Sequence, residues 1–211
     1  MKTLCIIPCA GLGTRMSMTL NKSKELLIDP CTHEPIIKWS LDLCKKHHIE
    51  PLVITRKEKT DLIAYLSEQG VKCLIIEPDG SEWPSTVLAS EHLWQENNIL
   101  ILPDTRFSPE NALKQIEDSL LLQKPVTFAL HSVDNVSKWG CVEEFYYCEK
   151  PNKNTHGWAW GLIGFKKDFG PLLLNNMLEQ QIFHDHIEET NFLFLDKFVD
   201  LTRTGKIEKW K

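Results

Sequence analysis

Short apolar runs, each closed by turn residues and followed by a stretch of helical spacing, recur through the first ~130 residues, and this alternation limits the possible folds more than any other feature. The runs lie at 4–8, 51–55, 71–76, 98–102 and 125–130. Between them Ile37, Leu41 and Cys44, then Leu62, Ile63 and Leu66, then Val87, Leu88 and His92, then Leu113, Ile116 and Leu120 repeat at the interval of one helix face. Strand and helix in alternation predict a Rossmann-like three-layer α/β/α arrangement, a mainly parallel sheet covered on both faces. Ligands of such sheets sit in the crevice outside the carboxyl ends of the strands. After Leu130 the pattern changes: 139–148 and 158–165 read as strands without a long helix between them, and 171–183 and 188–201 read as helices. A small antiparallel addition in the C-terminal third follows. No linker composition interrupts the chain, so its 211 residues are read as one domain.

A formal charge of −5 excludes binders that depend on a net basic surface, so no nucleic-acid partner is expected. Seven cysteines, an odd number without a Cys-x-x-Cys pair or zinc spacing, read as reduced and mostly buried thiols. No stretch approaches the ~20 apolar residues of a membrane span. The basic and apolar start contains Pro8 and runs into a glycine turn, unlike a signal peptide. These readings lead to the expectation of a soluble cytoplasmic protein without a membrane partner; a homo-oligomer is compatible with them.

The first strand ends in Gly11-Leu12-Gly13-Thr14-Arg15. Backbone amides without side-chain bulk can approach phosphate oxygens closely there. A dinucleotide fingerprint would need a third glycine where Met16 stands, and a phosphate loop of the Walker type would need Gly-Lys-Ser/Thr. Arg15 and Lys24 add positive charge around a polar segment suited to close over a triphosphate. The ordinary alternatives are a tight turn and solvated surface lysines. Asp104 follows the run at 98–102, where the crevice is expected; a single carboxylate can begin a Mg²⁺ site, since this hard cation takes one or two carboxylates with phosphate and water. The ordinary use of Asp104 is to cap the turn toward Ser108-Pro109-Glu110.

Ile7-Pro8-Cys9-Ala10-Gly11-Leu12-Gly13-Thr14-Arg15-Met16, then Ser23-Lys24-Glu25-Leu26-Leu27, then Glu34-Pro35-Ile36-Ile37-Lys38-Trp39 resembles the opening of the sugar nucleotidyltransferases, notably the glucose-1-phosphate uridylyl- and thymidylyltransferases. The resemblance implies a nucleotide-binding part at 1–130 and an acceptor-binding part at 131–211. It implies that Ala10, Gly11, Leu12, Gly13 and Thr14 cradle the triphosphate, that Arg15 contacts its phosphates and that Lys24 stabilises the reacting phosphoryl groups. Asp104 is then the metal ligand. Glu77 and Ser85-Thr86 fall where the family reads the base, with glutamate in a glutamine-like place and Ser85 in a glycine-like one; Ser85 or Thr86 could equally cap a helix. Glu149-Lys150-Pro151 and the strand containing Gly161 are similar to the acceptor segment, where the glutamate binds sugar hydroxyls and the lysine the sugar phosphate. Two departures stand out. The interval from Arg15 to Lys24 is one residue short, and the family's Trp-x-Asp-x-Gly with a second metal aspartate is not found, which leaves a sequence that stops short of the motif, Asp185, Glu188 or Asp196 as substitutes, or a site with one carboxylate.

His184 and His186 flank Asp185 at a spacing that fits no zinc pair, and they read as a polar approach to a helix. No Gly-x-Ser-x-Gly nucleophile is present. The resemblance therefore implies a Mg²⁺-dependent enzyme of sugar-nucleotide biosynthesis that moves a nucleoside monophosphate from a nucleoside triphosphate to a phosphorylated small-molecule acceptor, a sugar 1-phosphate, with release of pyrophosphate. Two alternatives stay open: a cytidylyltransferase acting on phosphocholine or a polyol phosphate, to which Trp83, Trp158 and Trp160 could offer aromatic faces, and a catalytically weak sensor domain.

Overall fold

The computed structural model describes residues 2–11, 22–77, 83–143, 146–151, 155–179 and 190–202, without the side chains of Glu143, Tyr146 and Glu149. In chain order the elements are β1 (Thr3–Pro8), α1 (Ile36–Lys46), β2 (Glu50–Arg56), α2 (Thr60–Glu68), β3 (Lys72–Ile76), α3 (Trp83–Leu88), β4 (Asn97–Ile101), β5 (Thr105–Ser108), α4 (Ala112–Leu121), β6 (Val126–Val133), β7 (Gly140–Glu143), β8 (Tyr146–Glu149), β9 (Gly157–Lys166), α5 (Gly170–Glu179), β10 (Thr190–Phe194) and β11 (Lys197–Asp200). The main sheet runs β10-β6-β9-β4-β1-β2-β3, and the β7–β8 hairpin joins it through β9. Pairings β1/β2, β1/β4, β2/β3 and β6/β10 are parallel, whereas β9 is antiparallel to both β4 and β6. The architecture is the mainly parallel α/β/α sandwich that the alternation implies.

Side chains alternate across β1, so Cys5 and Ile7 face one layer while Leu4 and Ile6 face the other. On the first side α1, α2 and α4 bury Ile37, Leu41, Leu62, Leu66, Leu113, Ile116 and Leu120. On the second, Val87 of α3 and Leu173, Leu174 and Met177 of α5 pack on the sheet. β4, flanked by β1 and β9, is buried at every position, as a strand covered on both faces must be. The order reverses at β1: β2 and β3 extend to one side and β4 opens the other. The crevice of a doubly wound sheet forms beyond such a reversal, here past the ends of β1 and β4.

The C-terminal third departs from the expectation. Residues 188–201 were expected to be helical; among the described residues they form β10, parallel to β6, and β11, antiparallel to β5. An apolar run this short satisfies either period, and the edges of β6 and β5 decide between them. The expected strand at 139–148 is the hairpin β7–β8, and β5 had no counterpart in the sequence reading. The antiparallel addition is not confined to an edge, since β9 inserts between β4 and β6. Gly161 is the extra residue of a bulge, because Ala129 pairs with Leu162 and Leu130 with Trp160.

Candidate active site

Lys24 opens a single 3-10 turn, Lys24–Leu26, clamped on both sides. Before it, the Ser23 backbone N–H and hydroxyl donate to the two oxygens of Asp61 in the first turn of α2, at 2.8 and 2.6 Å. After it, the fully buried carboxylate of Glu25 accepts two 2.8 Å hydrogen bonds from Lys59 Nζ. Leu26 then enters the core. Between these anchors the Lys24 ammonium reaches Asp104 Oδ2 at 2.7 Å.

Asp104 stands just past β4 and is 6% exposed. Thr202 Oγ1 donates to its Oδ2 at 2.5 Å, and its carbonyl accepts from the Leu201 N–H at 2.8 Å. The ribbon of β5 and β11, with Asp200 opposite Thr105, carries the C-terminal strand to this place. Asp200 Oδ1 accepts the Thr202 N–H at 3.0 Å and lies 3.3 Å from the same Thr202 hydroxyl oxygen. Two carboxylates thus flank one hydroxyl at the mouth of the β1/β4 crevice.

The charges reinforce one another. Burial alone would lower the Lys24 pKa, but the charge of Asp104, then that of Glu25, the hydrogen bond to Asp104 and the charge of Asp200 outweigh it and hold the ammonium above its ordinary value. Burial likewise opposes ionisation of Asp104, yet Lys24 and the Thr202 hydrogen bond keep the carboxyl below its ordinary value. Burial pushes the neighbouring Cys9 thiol up. A second buried pair braces the floor: Arg106 Nη2 lies 3.1 Å from Asp29 Oδ2 and donates to the Ile36 carbonyl at 3.1 Å, with its guanidinium 4.9 Å from the centre of the Trp39 ring. This ties the segment after Lys24 to β5.

The structure brings Lys24 and Asp104 together. Ala10 is buried at the end of β1, and a Cβ built on Gly11 meets nothing within 4 Å. Leu12, Gly13, Thr14 and Arg15 lie outside the described residues, as do His184, Asp185, His186 and Glu188. Glu77 follows β3, which β1 and β2 separate from β4, and its exposed carboxylate pairs with Lys57 at 2.6 Å. Ser85 and Thr86 lie inside α3, which starts at Trp83, so neither is its N-cap. Glu149 ends β8, and the exposed Lys150 follows at a φ of 47°, its N–H donating to the Trp139 carbonyl at 2.9 Å. At Gly161 a Cβ would come within 2.6 Å of the Phe198 ring, so this glycine makes room for β11. Asp196 is exposed at the opposite end of β11 from Asp200, its N–H on the Ser108 carbonyl.

Asp200 is the residue the sequence reading missed. Phe198-Val199-Asp200-Leu201-Thr202 has the aromatic-x-Asp order of the sought motif, with phenylalanine for tryptophan and threonine for glycine. Asp61, Glu25, Lys59, Asp29 and Arg106 carry no signal of their own in the sequence, since each is an ordinary charged residue until its partner is known. No cluster of three or more His, Cys, Asp or Glu side chains suited to a metal occurs among the described residues. Asp104, Asp200 and the Thr202 hydroxyl nevertheless form a hard-oxygen set that fits Mg²⁺, which needs only one or two carboxylates when phosphate and water complete its shell. No described helix is long and apolar enough to cross a membrane.

The described fold has a counterpart among solved structures. A protein from Bacillus anthracis described as a glucose-1-phosphate thymidylyltransferase, crystallised in complex with sucrose, superposes with a TM-score of 0.77 at 19% identity, over 97% of this chain and 90% of the other. At that identity the likeness shows the fold. No curated protein matches the chain. The family model described as nucleotidyl transferase matches residues 4–211, so the chain is an enzyme and belongs to the nucleotidyl transferase family.

Proposed function

We propose that the enzyme moves a nucleoside monophosphate from a nucleoside triphosphate to a sugar 1-phosphate, in the presence of Mg²⁺, and releases pyrophosphate. The observation that carries this reading is the contact of Lys24 with Asp104, with Asp200 beside them, where the crevice of the sheet opens. Ala10 and Gly11 follow β1 at that crevice, and the open space around Gly11 leaves its backbone accessible to phosphate oxygens; the family resemblance gives Leu12, Gly13 and Thr14 the same role. Arg15 holds the departing pyrophosphate. Glu77, Ser85 and Thr86 belong to the side where the base is read.

Attack by an acceptor phosphate oxygen on the α-phosphorus breaks the bond to the bridging oxygen of the leaving pyrophosphate. Charge spreads over the phosphoryl oxygens as the two bonds exchange, so catalysis rests on positioning and electrostatics, with no protein nucleophile. Lys24 offers its ammonium to the α-phosphate, and its clamp keeps that charge in place before substrate arrives. Asp104 and Asp200 are the residues that would hold Mg²⁺, which supplies positive charge to the phosphate oxygens when bound. Glu149 accepts hydrogen bonds from acceptor hydroxyls, and Lys150 offsets the acceptor phosphate.

The sensor reading has two motives, a missing second carboxylate and the glutamate at position 77; Asp200 beside Asp104 answers the first, and the second stays open. Trp83 and Trp160, which could have offered faces to a quaternary ammonium, pack against each other at 5.1 Å, and Trp160 is 7% exposed. That arrangement favours core packing over a choline cage. Pyrophosphate release is measured with CTP, UTP and dTTP, each against sugar 1-phosphates, phosphocholine and polyol phosphates. Turnover that needs both Mg²⁺ and a sugar 1-phosphate supports the proposal. Turnover only with CTP and phosphocholine or a polyol phosphate, or nucleotide binding without turnover in any pair, overturns it.

A further inference from the structure

In the β7–β8 hairpin Cys141 stands directly opposite Cys148. Directly opposed residues of an antiparallel pair project to the same face. The Lys150 N–H donates to the Trp139 carbonyl, two residues further along the same register, which makes the cysteine pair one of the hydrogen-bonded pairs of the ladder. Such pairs have Cα atoms about 5.5 Å apart, within the usual span of a disulfide at about 5.5–6 Å. The Cα atoms need not move, and the Cβ atoms, about 4.5–5.5 Å apart across such a pair, close to about 3.5–4.5 Å when bridged.

Access comes from two further features. Cys148 is partly exposed, whereas Cys141 is buried with its Sγ 3.5 Å from the Val136 and Trp139 carbonyls. A cavity of about 320 Å³ between Pro151, His156 and Trp158 reaches Cys141. One thiol can meet a small oxidant, and the other waits beside it, the arrangement of an attacking and a resolving cysteine.

We propose that Cys141 and Cys148 form a reversible disulfide by exchange with a small disulfide such as oxidised glutathione. The Cys148 thiolate attacks one sulfur of oxidised glutathione, forming a mixed disulfide and expelling one glutathione thiolate. The Cys141 thiolate then attacks Cys148 Sγ, breaks the mixed bond and expels the second. Two protein thiols lose two electrons to the oxidant, and their two protons end on the two molecules of glutathione. The cross-link staples the hairpin whose second strand leads directly to Lys150. Nothing in the step depends on the nucleotidyl-transfer site.

The test uses the full chain with Cys31→Ser, which removes the exposed competing thiol. After incubation with oxidised glutathione and trypsin digestion without reductant, the peptide covering 139–150 is expected lighter by two hydrogens and without glutathione. In the Cys141→Ser variant a stable glutathione adduct is expected at Cys148, and the Cys148→Ser variant is expected unmodified in this peptide. A lasting glutathione adduct at Cys148 with Cys141 present, or a peptide unchanged by the oxidant while the chain stays folded by circular dichroism, overturns the proposal.

Discussion

Lys24 Nζ and Asp104 Oδ2 lie 2.7 Å apart although 80 residues separate them in the chain, and the Thr202 hydroxyl reaches the same carboxylate oxygen at 2.5 Å. The ammonium therefore occupies a position that a metal ion on Asp104 would contest. Replacing Lys24 by Met is expected to lower kcat by about 10²–10³, the loss typical of one preorganised donor to developing charge. Binding of Mn²⁺ is expected to stay as tight or become tighter, because a competitor for Asp104 is gone. Pyrophosphate release and a metal titration by calorimetry check the two halves separately.

Asp200 and Asp104 converge on one hydroxyl, whereas Asp196 is exposed four residues away on the ribbon. Asp200→Asn and Asp104→Asn are each expected to weaken metal affinity at least by the ~10–100-fold typical of disturbing an outer-shell partner. Asp196→Asn is expected to leave it unchanged. The Mg²⁺ dependence of the rate in the three variants measures this.

Gly11 and Gly161 are small for different reasons, since a Cβ meets nothing at the first and the Phe198 ring at 2.6 Å at the second. Gly11→Ala is expected to shift stability by less than about 0.5 kcal/mol while weakening nucleotide binding. Gly161→Ala is expected to cost about 1–3 kcal/mol by overpacking. Urea denaturation and nucleotide titration of both variants distinguish them.

Glu25 and Lys59 form a dehydrated pair under the Lys24 turn, with side chains 0% and 8% exposed. Glu25→Gln leaves the lysine without its charge partner, and a loss of about 3–5 kcal/mol is expected. Replacing both residues by Met is expected to recover much of that stability. Activity is expected to recover less, because the turn then loses the bond that sets its orientation. Denaturation midpoints and kcat for the single and double variants are the measurements.

The folded protein holds Asp104 and Asp61 below their ordinary value of 3.8: burial opposes this in both, but Lys24 prevails at Asp104 and the Ser23 hydrogen bonds at Asp61. Their contribution to stability is complete above that value and is lost as pH falls below it toward the lower folded pKa values. Lys24 has the opposite sign: its pKa is raised, so its contribution is lost only as pH rises beyond the ordinary lysine range. Denaturation midpoints across an acid series are expected to fall less steeply for Asp61→Asn than for the wild type.

Much of the molecule is legible locally. Apart from β5, the period of the apolar runs fixes which segments are strands and which are helices as far as α4, because each run is long enough, or bounded sharply enough, to satisfy one geometry. A parallel sheet then sends every one of those strands the same way, so the loop after β1 and Asp104 after β4 must emerge on one side. The contact of Lys24 with Asp104 lies on that side.

By itself the sequence determined a doubly wound sheet, a glycine loop at the end of its first strand and an acid at the end of its fourth, all properties of local period and chain direction. Tertiary structure alone decided that β9 inserts between β4 and β6, that 190–200 pair as strands where a helix was expected, and that Asp200 lies beside Asp104. The physical reason is the same in each case. A short apolar run fits more than one period, and it takes the conformation that satisfies the backbone groups of the edge it meets, here those of β6 and β5.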